Sequence, residues 1–150
     1  MKVLVTGSEG FIGRNLIARL REGHGFEILP YTRNLDEKVL LELIAQADFV
    51  FHMAGVNRPR EVTDFSVGNV DLTRKLVGLV AQRGREIPIV FASSIQAEQD
   101  NPYGQSKRAA EDALLAHGGA TNLPVYIYRL PNVFGKWCRP NYNSVVATFC

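Results

Sequence analysis

The sequence has little of what marks specialised chains. It holds two cysteines, Cys138 and Cys150, and one tryptophan in 150 residues. The cysteines lack metal-type spacing, and no His/Cys/carboxylate cluster accompanies them, so no metal is expected. No run of basic residues occurs, and 17 Lys and Arg against 15 Asp and Glu leave a net charge of +2, so a nucleic-acid partner is excluded on electrostatic grounds. No apolar stretch approaches membrane-spanning length, and the opening residues carry no signal-peptide pattern, which excludes membrane insertion. Repeats, low-complexity tracts and linkers are also missing. One reduced, cytoplasmic domain over residues 1–150 is the resulting expectation.

What is present is ordinary globular composition, 46% hydrophobic and 21% charged. Strand-like apolar runs at 2–6, 26–30, 48–52, 87–92 and 125–129 alternate with helical patterns. The spacing predicts helices after Gly10, over 35–46, over 67–83 and over 103–117, the last closed by Gly118-Gly119. Such alternation implies βαβ units with right-handed crossovers, hence a Rossmann-like doubly wound α/β fold with a parallel sheet. The final segment from Asn143 reads as a helix just beginning, with Asn143 or Ser144 as N-cap. It has no C-cap, which points to a piece of a longer chain.

Two sites stand out. Thr6-Gly7-Ser8-Glu9-Gly10-Phe11-Ile12-Gly13 joins the first strand to the first helix. Gly7 suits a tight turn, Gly10 allows backbone to approach a pyrophosphate, and Gly13 allows close helix–strand packing. The N–H groups around Gly10, Phe11, Ile12 and Gly13 then face a phosphate with the positive end of the helix dipole behind them. Beyond the second strand lie Thr32 and Arg33, a hydroxyl and a planar cation where a ribose 2′-phosphate would lie, while Asp36 falls beyond that position. NADPH is therefore the expected cofactor; the alternative for Arg33 is a solvated loop arginine.

The second site is Tyr103-Gly104-Gln105-Ser106-Lys107, a phenol and an ammonium one helical turn apart. Carbonyl reduction needs a proton donor at the oxygen as hydride arrives. Tyr103 is that acid, Lys107 is expected to lower its pKa and to hold the nicotinamide ribose, and Ser94 at the end of the fourth strand orients the carbonyl. Ser93 is the rival for the serine role. His24 and His117 read as structural or exposed, and Glu98 and Asp100 as solvated loop charges.

The G-x-x-G-x-x-G spacing with its Thr-Gly start, joined to Ser94, Tyr103 and Lys107, resembles the extended short-chain dehydrogenase/reductase family. By that resemblance His52, Ala54 and Gly55 lie against the cofactor, Asn69 plays a structural part, and Asn132 in Arg129-Leu130-Pro131-Asn132-Val133-Phe134-Gly135 contacts a sugar nucleotide, with Ser94 on the substrate as well. The runs Ala54-Gly55-Val56-Asn57-Arg58-Pro59 and Lys136-Trp137-Cys138-Arg139-Pro140 narrow it further. They resemble the reductase half of the bifunctional capsular-polysaccharide reductase/epimerases of UDP-N-acetyl-L-fucosamine synthesis. The resemblance implies NADPH-dependent reduction of the 4-keto group of a UDP-2-acetamido-2,6-dideoxyhexosulose, a UDP-linked 4-keto-6-deoxy amino sugar. It further implies a homodimer, and a remaining substrate region and a C-terminal cupin domain beyond residue 150, without which this piece is expected to be inactive. Two other readings stay open: another nucleotide-sugar epimerase or dehydratase on the same scaffold, which would retain NAD, and a non-catalytic NADP(H)-binding module.

Overall fold

The computed structural model describes residues 1–84, 86–141 and 144–149. Runs rich in β-branched and aromatic residues form strands β1 (Lys2–Thr6), β2 (Glu27–Tyr31), β3 (Phe49–His52), β4 (Ile89–Ser94) and β5 (Val125–Leu130). All pair in parallel, in the order β2-β1-β3-β4-β5. The chain steps from β1 outward to β2, then crosses back to β3. That reversal opens a crevice beyond the carboxyl ends of β1 and β3, where open α/β sheets take their ligands.

Between the strands run α1 (Phe11–Glu22), α2 (Glu37–Gln46), the single turn α3 (Thr63–Phe65), a π segment (Ser66–Asp71), α4 (Leu72–Gln82), a 3-10 turn (Ile95–Glu98), α5 (Pro102–Thr121) and α6 (Val145–Phe149). Right-handed crossovers in opposite directions put α1 on one face of the sheet and α2, α4 and α5 on the other. The second face carries the core. Leu4, Val50, Ile89 and Phe91 of the sheet meet Leu40, Ile44, Leu76, Val80, Ala110 and Leu114 of the three helices, all buried. Each large apolar side chain there contributes about 1.5–3 kcal/mol. On the opposite face Val3 and Val5 are fully buried beneath α1. Ile12, Leu16, Ile17 and Leu20 of α1 are only half-buried, because α1 packs chiefly on β1. Toward β5 that face stays open, and Tyr126 and Tyr128 are exposed.

Several boundaries differ from the expectation for local reasons. α2 starts at Glu37 because the Asp36 side chain caps it, accepting from Val39 N at 2.9 Å. The expected helix over 67–83 begins earlier and passes through the π segment, whose widened turn buries Asn69. α5 does not close at Gly118-Gly119 but runs to Thr121. Gly118 instead lets the helix lie close to β5, since a Cβ there would meet a Val125 methyl at 3.1 Å. Asn122, left-handed at φ 54°, ends it. At α6 the Ser144 hydroxyl accepts from Ala147 N at 3.2 Å, and Asn143 lies outside the described residues.

Candidate active site

A cleft of about 1530 Å³ opens at the carboxyl ends of the strands, and Gly7, Gly10, Phe11, Ile12 and Gly13 form one wall. Gly7 sits at φ 66°, and an added Cβ would lie 2.7 Å from the Ala54 backbone. At Gly13 a Cβ would lie 2.2 Å from the Gly7 carbonyl oxygen. The turn is closed further by Gly10 N donating to Gly7 O at 2.9 Å. Side-chain acceptors cap α2 and α5, the latter through Asn101 to Gly104 N at 2.8 Å, but α1 starts at Gly10 without one. The first N–H groups of α1 thus face the cleft with no side-chain partner, a donor set that fits a diphosphate.

At the β2 end of the cleft lie Thr32 and Arg33. The Thr32 hydroxyl accepts from Asn34 N at 3.4 Å. Arg33 is exposed and makes no ion pair among the described residues, whereas Lys75, which also lines the cleft, is bound to Glu37 at 2.9 Å.

Met53, Ala54 and Gly55, which follow β3, line the cleft, but His52 does not. This corrects the expectation that His52 touches the cofactor. The strand alternation turns His52 into the core face, where it is 1% exposed and stacks on Phe91. Its Nδ1 lies 2.7 Å from the Thr6 hydroxyl and its Nε2 2.9 Å from that of Thr73. Thr73 donates to Asn69 O at 2.6 Å, so it accepts from a protonated Nε2, and Nδ1 accepts from Thr6. Thr6 in turn accepts from Ala54 N at 3.2 Å. The buried histidine therefore holds the cleft-lining backbone from behind.

Burial and the neighbouring Lys107 charge push the His52 pKa down to about 3. The unfolded chain takes up this proton below about pH 6.5, and the folded protein does not. The His52 contribution to stability is thus complete above that pH and is lost as the pH falls toward 3; burial shifts His117 in the same direction. Chemical denaturation at about pH 7.5 and about pH 5 should show weaker folding at the lower pH, with a smaller loss in His52→Gln. Equal losses in both proteins would rule His52 out as the source.

Asn69 carries the structural part expected of it. Its side chain accepts from Val56 N at 2.8 Å and donates to Val56 O at 3.0 Å and to Ser106 Oγ at 2.9 Å. Ser106 passes the link to the Tyr103 carbonyl at 2.7 Å. Gly68 makes the approach feasible, since a Cβ there would overlap a Val56 methyl at 2.3 Å.

Ser94, Tyr103 and Lys107 come together at the inner end of the cleft. Alternation along β4 separates the two serines: Ser93 faces α5 and bonds Glu111, whereas Ser94 turns the other way, its hydroxyl accepting from Gln96 N at 3.2 Å on the cleft side, near the Tyr103 phenol. The start of α5 is seated by Gly104, where a Cβ would lie 2.1 Å from Gln96 O. The Tyr103 ring leans on Phe65 at 5.6 Å. One expectation is not met. Burial raises the phenol pKa, and the neighbouring Ser94 hydroxyl opposes it, but Lys107 is not among the groups that shift it. The reason is orientation: the Lys107 ammonium donates to Ala92 O at 2.7 Å and sits 4.4 Å from the centre of the Phe91 ring. Desolvation brings Lys107 down to about 8, partly offset by Glu111.

Asn132 lies on the outer rim of the cleft, exposed. Beyond it Trp137, left-handed at φ 68°, also lines the cleft, with the Arg14 guanidinium 4.7 Å and the Lys136 ammonium 4.8 Å from its ring. Neither Arg14 nor Trp137 was recognisable as a site residue, because the loop after β5 folds back over α1, with Asn15 donating to Lys136 O at 2.8 Å, and nothing local encodes that return. Glu98 is exposed and pairs with Arg129 at 2.8 Å.

The model of the NAD dependent epimerase/dehydratase family matches residues 3–149. The chain belongs to this family. Within it, a Pseudomonas aeruginosa protein named UDP-2-acetamido-2,6-beta-L-arabino-hexul-4-ose reductase is 59% identical over 150 residues, covering all of this chain and 40% of that protein. The crystal structure of the capsular polysaccharide assembling protein CapF from Staphylococcus aureus superposes with a TM-score of 0.87 at 45% identity, over all of this chain and 41% of that one. MoeE5 in complex with UDP-glucose and NAD gives a TM-score of 0.75 at 27% identity, over 95% of this chain and 58% of the other. The chain thus spans less than two thirds of each. Among the described residues, no helix of this family member is long and apolar enough to cross a membrane.

Proposed function

We propose that this chain is the dinucleotide-binding part of an NADPH-dependent reductase acting on the 4-keto group of a UDP-2-acetamido-2,6-dideoxyhexosulose. The observation that carries the reading is the meeting of Ser94, Tyr103 and Lys107 at the inner end of a cleft walled by the uncapped start of α1. The printed name of the Pseudomonas aeruginosa relative supports the substrate class.

The N–H groups of the Gly10–Gly13 turn would hold the diphosphate, Arg33 and Thr32 the 2′-phosphate, and Lys107 with the Ala54-Gly55 backbone the nicotinamide end. Bound there, the reduced nicotinamide supplies hydride to the sugar C4. Ser94 donates to the carbonyl oxygen and fixes its direction. Tyr103 gives its phenolic proton to that oxygen as negative charge gathers on it, leaving the 4-alcohol. Burial raises the Tyr103 pKa, which keeps the phenol protonated near neutrality, the state a reduction requires. Asn132 on the rim would meet the sugar nucleotide. The rest of the sugar pocket would come from a longer polypeptide, since the relatives extend well beyond the matched region.

Paired calorimetric titrations with NADPH and NADH test the cofactor assignment. NADPH should bind more tightly, and Arg33→Ala should weaken it by roughly ten- to hundredfold, the value of a charged hydrogen bond, without changing NADH. Preference for NADH would overturn the Arg33 role and favour an NAD-retaining epimerase or dehydratase. The intact protein should consume NADPH when given the UDP-linked 4-keto sugar; absence of consumption would remove the reductase assignment.

A further inference from the structure

Glu111 is a carboxylate taken out of water, 3% exposed, and held by two residues from other elements. The Ser93 hydroxyl at the end of β4 donates to Oε1. Arg129 at the end of β5 adds its guanidinium fork, with Nε 3.0 Å from Oε1 and 3.2 Å from Oε2 and an Nη2 bond of 2.6 Å to Oε2. The same guanidinium reaches Glu98 of the 3-10 turn at 2.8 Å. These bonds hold the carboxyl below its ordinary pKa, although burial acts against them.

The pair is a poor source of stability, because Glu111 is buried but its partner Arg129 is 38% exposed and screened by solvent. What this one does is local. Glu111 lies one turn beyond Lys107 and two beyond Tyr103 on α5, on the side of the helix that faces β4. Ser93 is the chain neighbour of Ser94 and points the opposite way. A single carboxylate therefore joins the strand end that carries Ser94 to the helix that carries Tyr103 and Lys107. Turning the Ser93 hydroxyl inward also turns that of Ser94 outward, into the cleft.

Resting on the reductase reading above, we infer that Glu111 is a positioning residue. Through Ser93 and Arg129 it sets the register of α5 on the end of β4, and so brings the Ser94 hydroxyl to the Tyr103 phenol where the carbonyl is received.

The test uses the intact protein with isotope-labelled tyrosine, the Tyr103 ring signal being identified by its loss in Tyr103→Phe. Glu111→Gln keeps the size but sets an N–H group against the Arg129 fork; Ser93→Ala removes the strand link and keeps the Glu111–Arg129 pair. Both should shift the Tyr103 signal, because the seating of α5 on the end of β4 is disturbed. Both should lower kcat by roughly ten- to hundredfold, the scale of an ångström-size misplacement, with KM for NADPH and for the sugar nucleotide little changed. If Glu111→Gln does not fold, Ser93→Ala decides alone. An unmoved Tyr103 signal in a folded variant, or a loss confined to KM, overturns the inference. Should the wild type fail to reduce the keto sugar, the functional reading falls, while the Tyr103 signal still tests whether Glu111 sets the geometry.

Discussion

Tyr103→Phe is expected to reduce keto-sugar turnover of the intact protein by roughly 10²–10⁴-fold, the range for loss of a positioned proton donor. Dinucleotide binding should be retained. Phenylalanine keeps the ring that leans on Phe65, and the diphosphate would be held some distance away by the start of α1. The loss should fall on kcat, because the proton is needed only as charge gathers on the carbonyl oxygen. Ser94 would remain within reach of that oxygen but has no described link to a group able to return its proton. Comparing kcat with NADPH affinity in the same protein checks the prediction. Unchanged turnover would remove Tyr103 from the chemistry, and a matching loss of NADPH binding would recast it as a binding residue.

Gly13→Ala is expected to abolish measurable dinucleotide binding and to lower stability. The new Cβ would stand 2.2 Å from Gly7 O, 3.0 Å from the Gly7 carbonyl carbon and 3.1 Å from Ser8 Cα. All three are backbone atoms, so no side chain can turn away. The start of α1 must move off the turn, and the N–H groups that face the cleft move with it. Overpacking of this kind costs about 1–3 kcal/mol. Gly78→Ala is the matched control. It lies in α4 with nothing within 4 Å of its added Cβ, so alanine should leave binding intact and add a few tenths to about 1 kcal/mol through helix propensity. Calorimetric titration and thermal unfolding of the two variants suffice. Normal binding by Gly13→Ala would mean that the turn tolerates a looser contact than its geometry indicates.

Much of this protein is legible along the chain. The five strands and their parallel pairing follow from apolar runs alternating with helical spacing, because only right-handed crossovers let each helix pack back on the sheet. The glycine turn is legible because backbone that must approach within 3 Å admits no other residue. Tyr103 and Lys107 are legible because four residues span one helical turn. Errors gathered where an outcome depended on partners distant in sequence. α5 passes through Gly118-Gly119 because β5 offers a surface that the helix can meet only without a Cβ. His52 follows the same strand as the cleft-lining backbone but points into the core, so its role depends on Thr6 and Thr73 from other elements.

The choice between Ser93 and Ser94 shows the division plainly. Sequence by itself determined the fold class, the glycine turn at the start of α1 and the presence of a serine, a tyrosine and a lysine at the spacing of one site, since these rest on local steric rules and short-range periodicity. Only the tertiary structure decided which serine faces the cleft, that the Lys107 ammonium is turned to Ala92 O, and that one buried carboxylate, Glu111, joins the strand to the helix. Those outcomes depend on the register between β4 and α5, which is set where Ser93 and Arg129 meet Glu111, 18 residues from each along the chain. No local pattern encodes that meeting, because it is packing of separate elements that brings the three side chains together.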